Sequence, residues 1–210
     1  MKEKKNEEKG ILSKVIKKVI EILLKKECKM IKNININVSS TNQEILKGEI
    51  NLIKITAENV NYKELLFNEI ELQTNKLRIN YQIINNKLNF KDSFSVKIKI
   101  SLTGESLHKI LNSQNWLWVG SIISEKLLKL NHLTDIKISN NIIELKASDK
   151  NNTNYKTELV KIESKEGKIH LQNINNMYSI IIPIEDKIYI NKINIVGDRI
   201  NINAQSEISI

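Results

Sequence analysis

Cysteine, proline and arginine are almost missing from this 210-residue chain. Cys28 is the single cysteine, Pro183 the single proline, and Arg78 and Arg199 the only arginines. One thiol makes neither an internal disulfide framework nor a thiolate metal cluster. Two arginines against 31 lysines argue against bidentate phosphate or base recognition, which favours the planar guanidinium. Aromatics are 5% and there are six glycines, too few for Gly-rich phosphate loops. No apolar run approaches the ~20 residues that span a bilayer.

The histidines His108, His132 and His170 are scattered and lack metal-ligand spacing with carboxylates or Cys28. No Gly-x-Ser-x-Gly, Gly-x-Gly-x-x-Gly or phosphate-binding loop occurs. The reading is of a non-enzyme without metal or cofactor.

What is present is lysine, isoleucine and asparagine, with 40% hydrophobic residues and a net charge of +9. That hydrophobic content is enough for a core. The charge is uneven: residues 1–32 carry eleven lysines and five glutamates, so +6 of the net +9. Such asymmetry points to an anionic surface, membrane or nucleic acid. Residues 1–10 read as a charged, disordered terminus and 11–210 as one domain.

Ile11 to Leu24, ILSKVIKKVIEILL, is amphipathic at helical period, with Lys14, Lys17, Lys18, Glu21 and Lys25 opposite the apolar stripe. A half-apolar helix must bury its stripe on a sheet, a membrane or a partner. Lysines inside the apolar span disqualify it as a signal-peptide core, so the expected location is cytoplasmic, or peripheral on the cytoplasmic face of a membrane.

Strand signals follow. Ile31 to Val38 alternates; Ser39 to Gln43 is a polar break; Glu44 to Val60 alternates less cleanly, with Gly48 to start or bend it. Leu65 to Leu72 and Leu77 to Tyr81 read as two further strands, and Phe94 to Leu102 alternates strictly. Thr103 can cap a short helix carrying Leu107, Ile110 and Leu111. Ser113 can cap a second one, Gln114 to Leu130, which places Trp116 with Val119, Ile123 and Leu127, and leaves Trp118 and Ile122 beside Glu125 and Lys129.

The last eighty residues read as a hairpin meander. An Asn140-Asn141 loop pairs Ile138 with Ile143. A Ser164–Gly167 loop pairs Ile162 with Ile169 and Val160 with Leu171. A Gly197-Asp198 turn pairs Ile195 with Ile200. Pro183, in the strand-like run Ser179 to Ile184, belongs on an edge or bulge.

From Met30 to Leu130 the chain resembles the LmeA-like phospholipid-binding family. The resemblance is carried by Leu46-Lys47-Gly48, Ala57-Glu58-Asn59, the strand Leu66 to Leu72 and the strand-to-helix junction Ile100 to Leu107. Lys47 stands where the family pattern has Arg. The resemblance implies an α+β fold, a long amphipathic helix on a strongly curved antiparallel half-barrel, with short helices mid-chain. It also implies non-catalytic phospholipid binding, as in cyanobacterial-type members without a signal sequence.

With that partner, the expected lipid or membrane contacts are the helix lysines Lys14, Lys17, Lys18 and Lys25 and the group Trp118, Ile122 and Lys129. An indole among charges suits a headgroup-level anchor. The alternatives are a soluble scaffold that takes a partner peptide or helix, and, less favoured, a basic nucleic-acid binder.

Overall fold

A computed structural model describes residues 10–82, 87–151 and 153–209. The charged terminus expected to be disordered lies outside these, apart from Gly10. The chain is α+β and dominated by antiparallel sheet, with a helix at its start and short helices in its middle.

Helix α1, Ile11–Glu27, buries Ser13, Ile16, Val19 and Ile20. Its start has no side-chain cap of its own. Asn42 Oδ1, from another element, accepts from the Leu12 N–H at 3.4 Å. Buried Ser13 donates to the Ser40 carbonyl at 3.3 Å. Lys25 and Lys26 complement the negative end of the helix dipole.

Strand β1, Met30–Ser39, leads to α2, Asn42–Leu46, where the sequence suggested only a break and then a strand. A reciprocal capping box makes this helix: Glu44 N donates to Thr41 Oγ1, and Thr41 N to the Glu44 carboxylate. The strand proper, β2, is Glu49–Tyr62. Gly48 precedes it at φ +81°, and a Cβ there would lie 2.4 Å from the Ile79 carbonyl oxygen. The two strands expected at Leu65–Leu72 and Leu77–Tyr81 are one, β3, Leu65–Gln82. Then come β4, Lys87–Phe90, and β5, Phe94–Thr103.

Thr103 caps α3, Gly104–Leu111, through the Ser106 N–H as expected. The second helix differs from its sequence pattern. It begins as α4 at Leu117, with Trp116 at its cap, and ends in a π-helical turn, Ser124–Leu128. Ser113 caps nothing there; its hydroxyl is bonded back to the Ile110 carbonyl at 2.7 Å.

The remaining strands are β6 (His132–Ser139), β7 (Ile142–Ser148), β8 (Tyr155–Lys165), β9 (Lys168–Asn173), β10 (Ser179–Ile182), β11 (Ile188–Val196) and β12 (Arg199–Ile208). Strands β6 to β10 form a five-stranded meander in chain order. The first and last hairpins keep the expected registers, Ile138 opposite Ile143 and Ile195 opposite Ile200. The middle one is corrected by two residues: Ile162 faces Leu171 and Ser164 faces Ile169. The loop is only Glu166-Gly167, both at positive φ, so the strands pair up to Lys165 and Lys168. A two-residue slip leaves each side chain on its expected face. Pro183 follows β10, an edge strand.

The last hairpin leaves the meander. Strand β12 pairs with β5, which joins the C-terminus to the first half of the chain. The larger sheet runs β1-β2-β3-β5-β12-β11, with β4 attached to β3. Among the described residues neither sheet closes into a barrel.

Two cores result. In one, α1 packs Ile16 and Ile20 against Ile36, Val38, Ile50, Ile53, Leu77 and Ile79. In the other, the meander packs with α3, α4 and the π turn onto the end of the large sheet, around Leu128, Ile143, Leu145, Val160 and Ile200. Among the described residues no helix is long and apolar enough to cross a membrane.

Candidate functional site

The registers define two opposed faces of the large sheet. One is polar, as in the row Asn35, Thr56, Glu71, Lys99, Asn203 and Lys192. It carries a cavity of about 340 Å³ lined by Asn33, Glu58, Glu69, Ser101 and Asn201 among others. Its charges are largely paired internally. Lys54 and Lys99 each lie 2.8 Å from Glu71 and hold its carboxyl below the usual range. Arg199 is 2.6 Å from Glu69, and Asn33 donates to Glu58 at 2.7 Å. Ala57, Ile70 and Ile100 also line this groove, but its charged and amide side chains make it a poor seat for an acyl chain.

The other face is aliphatic. One row crosses the six strands from β1 to β11: Ile36, Ile55, Leu72, Ile98, Ala204 and Ile190. Its ends, Ile36, Ala204 and Ile190, are buried, one in the core under α1 and the others in the meander core. Its middle, Ile55, Leu72 and Ile98, is only half-buried. The flanking Ile70 and Val96 are half-buried too, and with Leu72 they join neither core. The centre of the sheet is therefore an aliphatic seam between two packed masses. Beside it, paired with Ile53 and Val96, stands Thr74. Its hydroxyl is buried and has no hydrogen-bond partner, the one such side-chain atom among the described residues. An orphaned buried hydroxyl is costly unless something bonds it.

The chain was compared with protein-family models, curated proteins and solved structures, and none matches.

The residues singled out in the sequence fall into two groups. Lys14, Lys18 and Lys25 are exposed on α1, and Lys17 is half-buried. Lys18 and Lys25 share Glu21, at 3.4 and 2.6 Å, and lower its pKa. On α4, Trp118 is 49% exposed with its Nε1–H on the Asn115 carbonyl at 3.1 Å, and Ile122, one turn on, is half-buried. Lys129 has turned away into a left-handed residue closing the π turn, its ammonium 5.6 Å from the Tyr178 ring.

Two features were not read from the sequence. The wheel places Leu23 with Ile16 and Ile20, inside. It is 46% exposed, and Ile22 and Ile11 are more so. The stripe docks on the sheet through Leu12, Ile16, Ile20 and Leu24 while Ile11, Ile22 and Leu23 stay exposed, which corrects the expectation of a wholly buried stripe. The seam residues were legible as strand positions, but their incomplete cover depends on which strands become neighbours. Among the described residues no group of His, Cys, Asp or Glu could hold a metal ion.

Proposed function

We propose that the protein is a non-enzymatic lipid-binding module, with a phospholipid acyl chain lying along the seam Ile55–Leu72–Ile98 between α1 and the meander. The observation that carries this reading is the aliphatic row buried at both ends and open in its middle. Lining an acyl chain with aliphatic side chains removes apolar surface from water on both partners, worth ~25 cal/mol per Å². The sheet would curve about the lipid as a half-barrel, as the family resemblance implies. The excess of lysine in residues 1–32 favours an anionic headgroup. The protein would then act at a membrane surface, on its cytoplasmic face.

The test is transfer of a phospholipid with a fluorescent acyl chain from vesicles to the protein. Leu72→Gln places an amide in the middle of the seam, where it touches neither core, and should abolish uptake while the protein stays folded. Equal uptake by the variant would remove the seam as the site.

A further inference from the structure

We infer that one end of the molecule, where the β2–β3 hairpin tip meets α1 and α4, is a docking surface for an anionic phospholipid bilayer. It does not depend on a lipid seated in the seam, because a bilayer contact here needs no bound acyl chain.

The hairpin tip gathers elements far apart in sequence. On one flank, Met30 at the start of β1 pairs with Asn61, whose carbonyl also accepts from the Lys29 N–H at 2.8 Å. At the tip itself, Lys63 and Glu64 turn the chain, both at positive φ. On the other flank, Trp116 Nε1–H donates to the Lys63 carbonyl at 2.9 Å and the Asn115 N–H to Glu64 at 2.8 Å. The tip thus joins the segment just after α1 to the segment just before α4.

Large apolar side chains lie exposed on the segments that the tip joins: Ile22 and Leu23 late in α1 and Met30 just after it, Leu117 and Trp118 at the start of α4, each between 42% and 56% exposed. Single exposed apolar residues are ordinary, but five on segments tied together at one turn are a concentration. Exposed Lys25, Lys26, Lys29 and Lys63 accompany them, against Glu21, which Lys25 meets at 2.6 Å, Glu27 and Glu64. The Glu64 carboxylate is engaged by the Asn115 backbone. Aliphatic and indole side chains set among lysines match the headgroup boundary of an anionic leaflet, where rings leave water and ammonium groups meet phosphates. The absence of arginine from this surface weighs against nucleic acid.

The experiment is co-sedimentation of the full chain with phosphatidylcholine vesicles, with and without phosphatidylglycerol. The wild type should bind preferentially to the phosphatidylglycerol vesicles. Lys26→Gln with Lys29→Gln should weaken this binding about tenfold. Leu23→Ser with Trp118→Ser should weaken it at least as much, with an unchanged melting temperature because both side chains are half in water. A charge-matched control elsewhere, Lys150→Gln with Lys187→Gln, should stay within about twofold. Equal loss in the control and the Lys26/Lys29 variant would show that net charge alone attracts the vesicles and overturn the docking surface. So would an absence of preference for phosphatidylglycerol. Retained acyl-chain uptake in the docking variants would separate this result from any failure of the seam.

Discussion

The indole N–H of Trp116 donates to the main-chain carbonyl of Lys63 at 2.9 Å, across 53 positions of sequence. Trp116 also packs against the meander core, so one side chain fastens the β2–β3 tip to the second half of the chain. The tip needs fastening. Lys63 and Glu64 both sit at positive φ, where residues with a Cβ cost about 1 kcal/mol or more each. Trp116→Phe keeps most of the ring and removes the N–H, and should cost about 1–2 kcal/mol in urea unfolding. Lys63→Asn, which suits the left-handed region, should recover part of that loss in the double variant.

Ile16 and Ile22 lie on the same helix with opposite surroundings: Ile16 is wholly buried and Ile22 is 56% exposed. Ile16→Ala should cost about 2–5 kcal/mol, the usual range for a large-to-small core change. Ile22→Ala should move stability by less than ~0.5 kcal/mol. Thermal melts of the two variants distinguish a docked α1 from a detached one, in which neither substitution would matter.

Acid sensitivity should centre in part on Glu158. This buried carboxylate lies 2.8 Å from Lys156 and accepts from Asn173 at 2.7 Å, and these contacts hold its pKa below the usual value despite the opposing effect of burial. A carboxyl depressed in the folded state stabilises it above the unfolded pKa of ~4.3, and that stability is lost as pH falls through the lower folded value. Glu158→Gln should therefore lower the melting temperature at neutral pH, and its curve should converge on that of the wild type under acid. A constant gap down to the lowest pH would assign the loss to packing instead of charge.

Most of the local structure was legible in the residues. Asn140-Asn141 and Gly197-Asp198 sit between symmetric isoleucine pairs, and alternation alone set both registers. The middle hairpin slipped by two because a four-residue loop satisfies the same alternation; only the left-handed pair Glu166-Gly167 decides for the shorter one. Thr41-x-x-Glu44 is a capping box in plain view, and α2 was still hidden by the strand-like pattern after it. Long-range choices were not legible. Nothing local says that the β11–β12 hairpin leaves the meander and pairs through β12 with β5, and that pairing fixes which aliphatic residues meet in the seam. Nor does a helical wheel show that the sheet takes Leu24 and leaves Leu23 exposed.

Native mass spectrometry of the full chain, purified from cells without detergent, tests the lipid reading most directly. The expected result is a protein peak carrying an added mass in the phospholipid range, which disappears in Leu72→Gln and persists in Lys26→Gln with Lys29→Gln. A bare protein mass for the wild type, both as purified and after incubation with phospholipid vesicles, would contradict it.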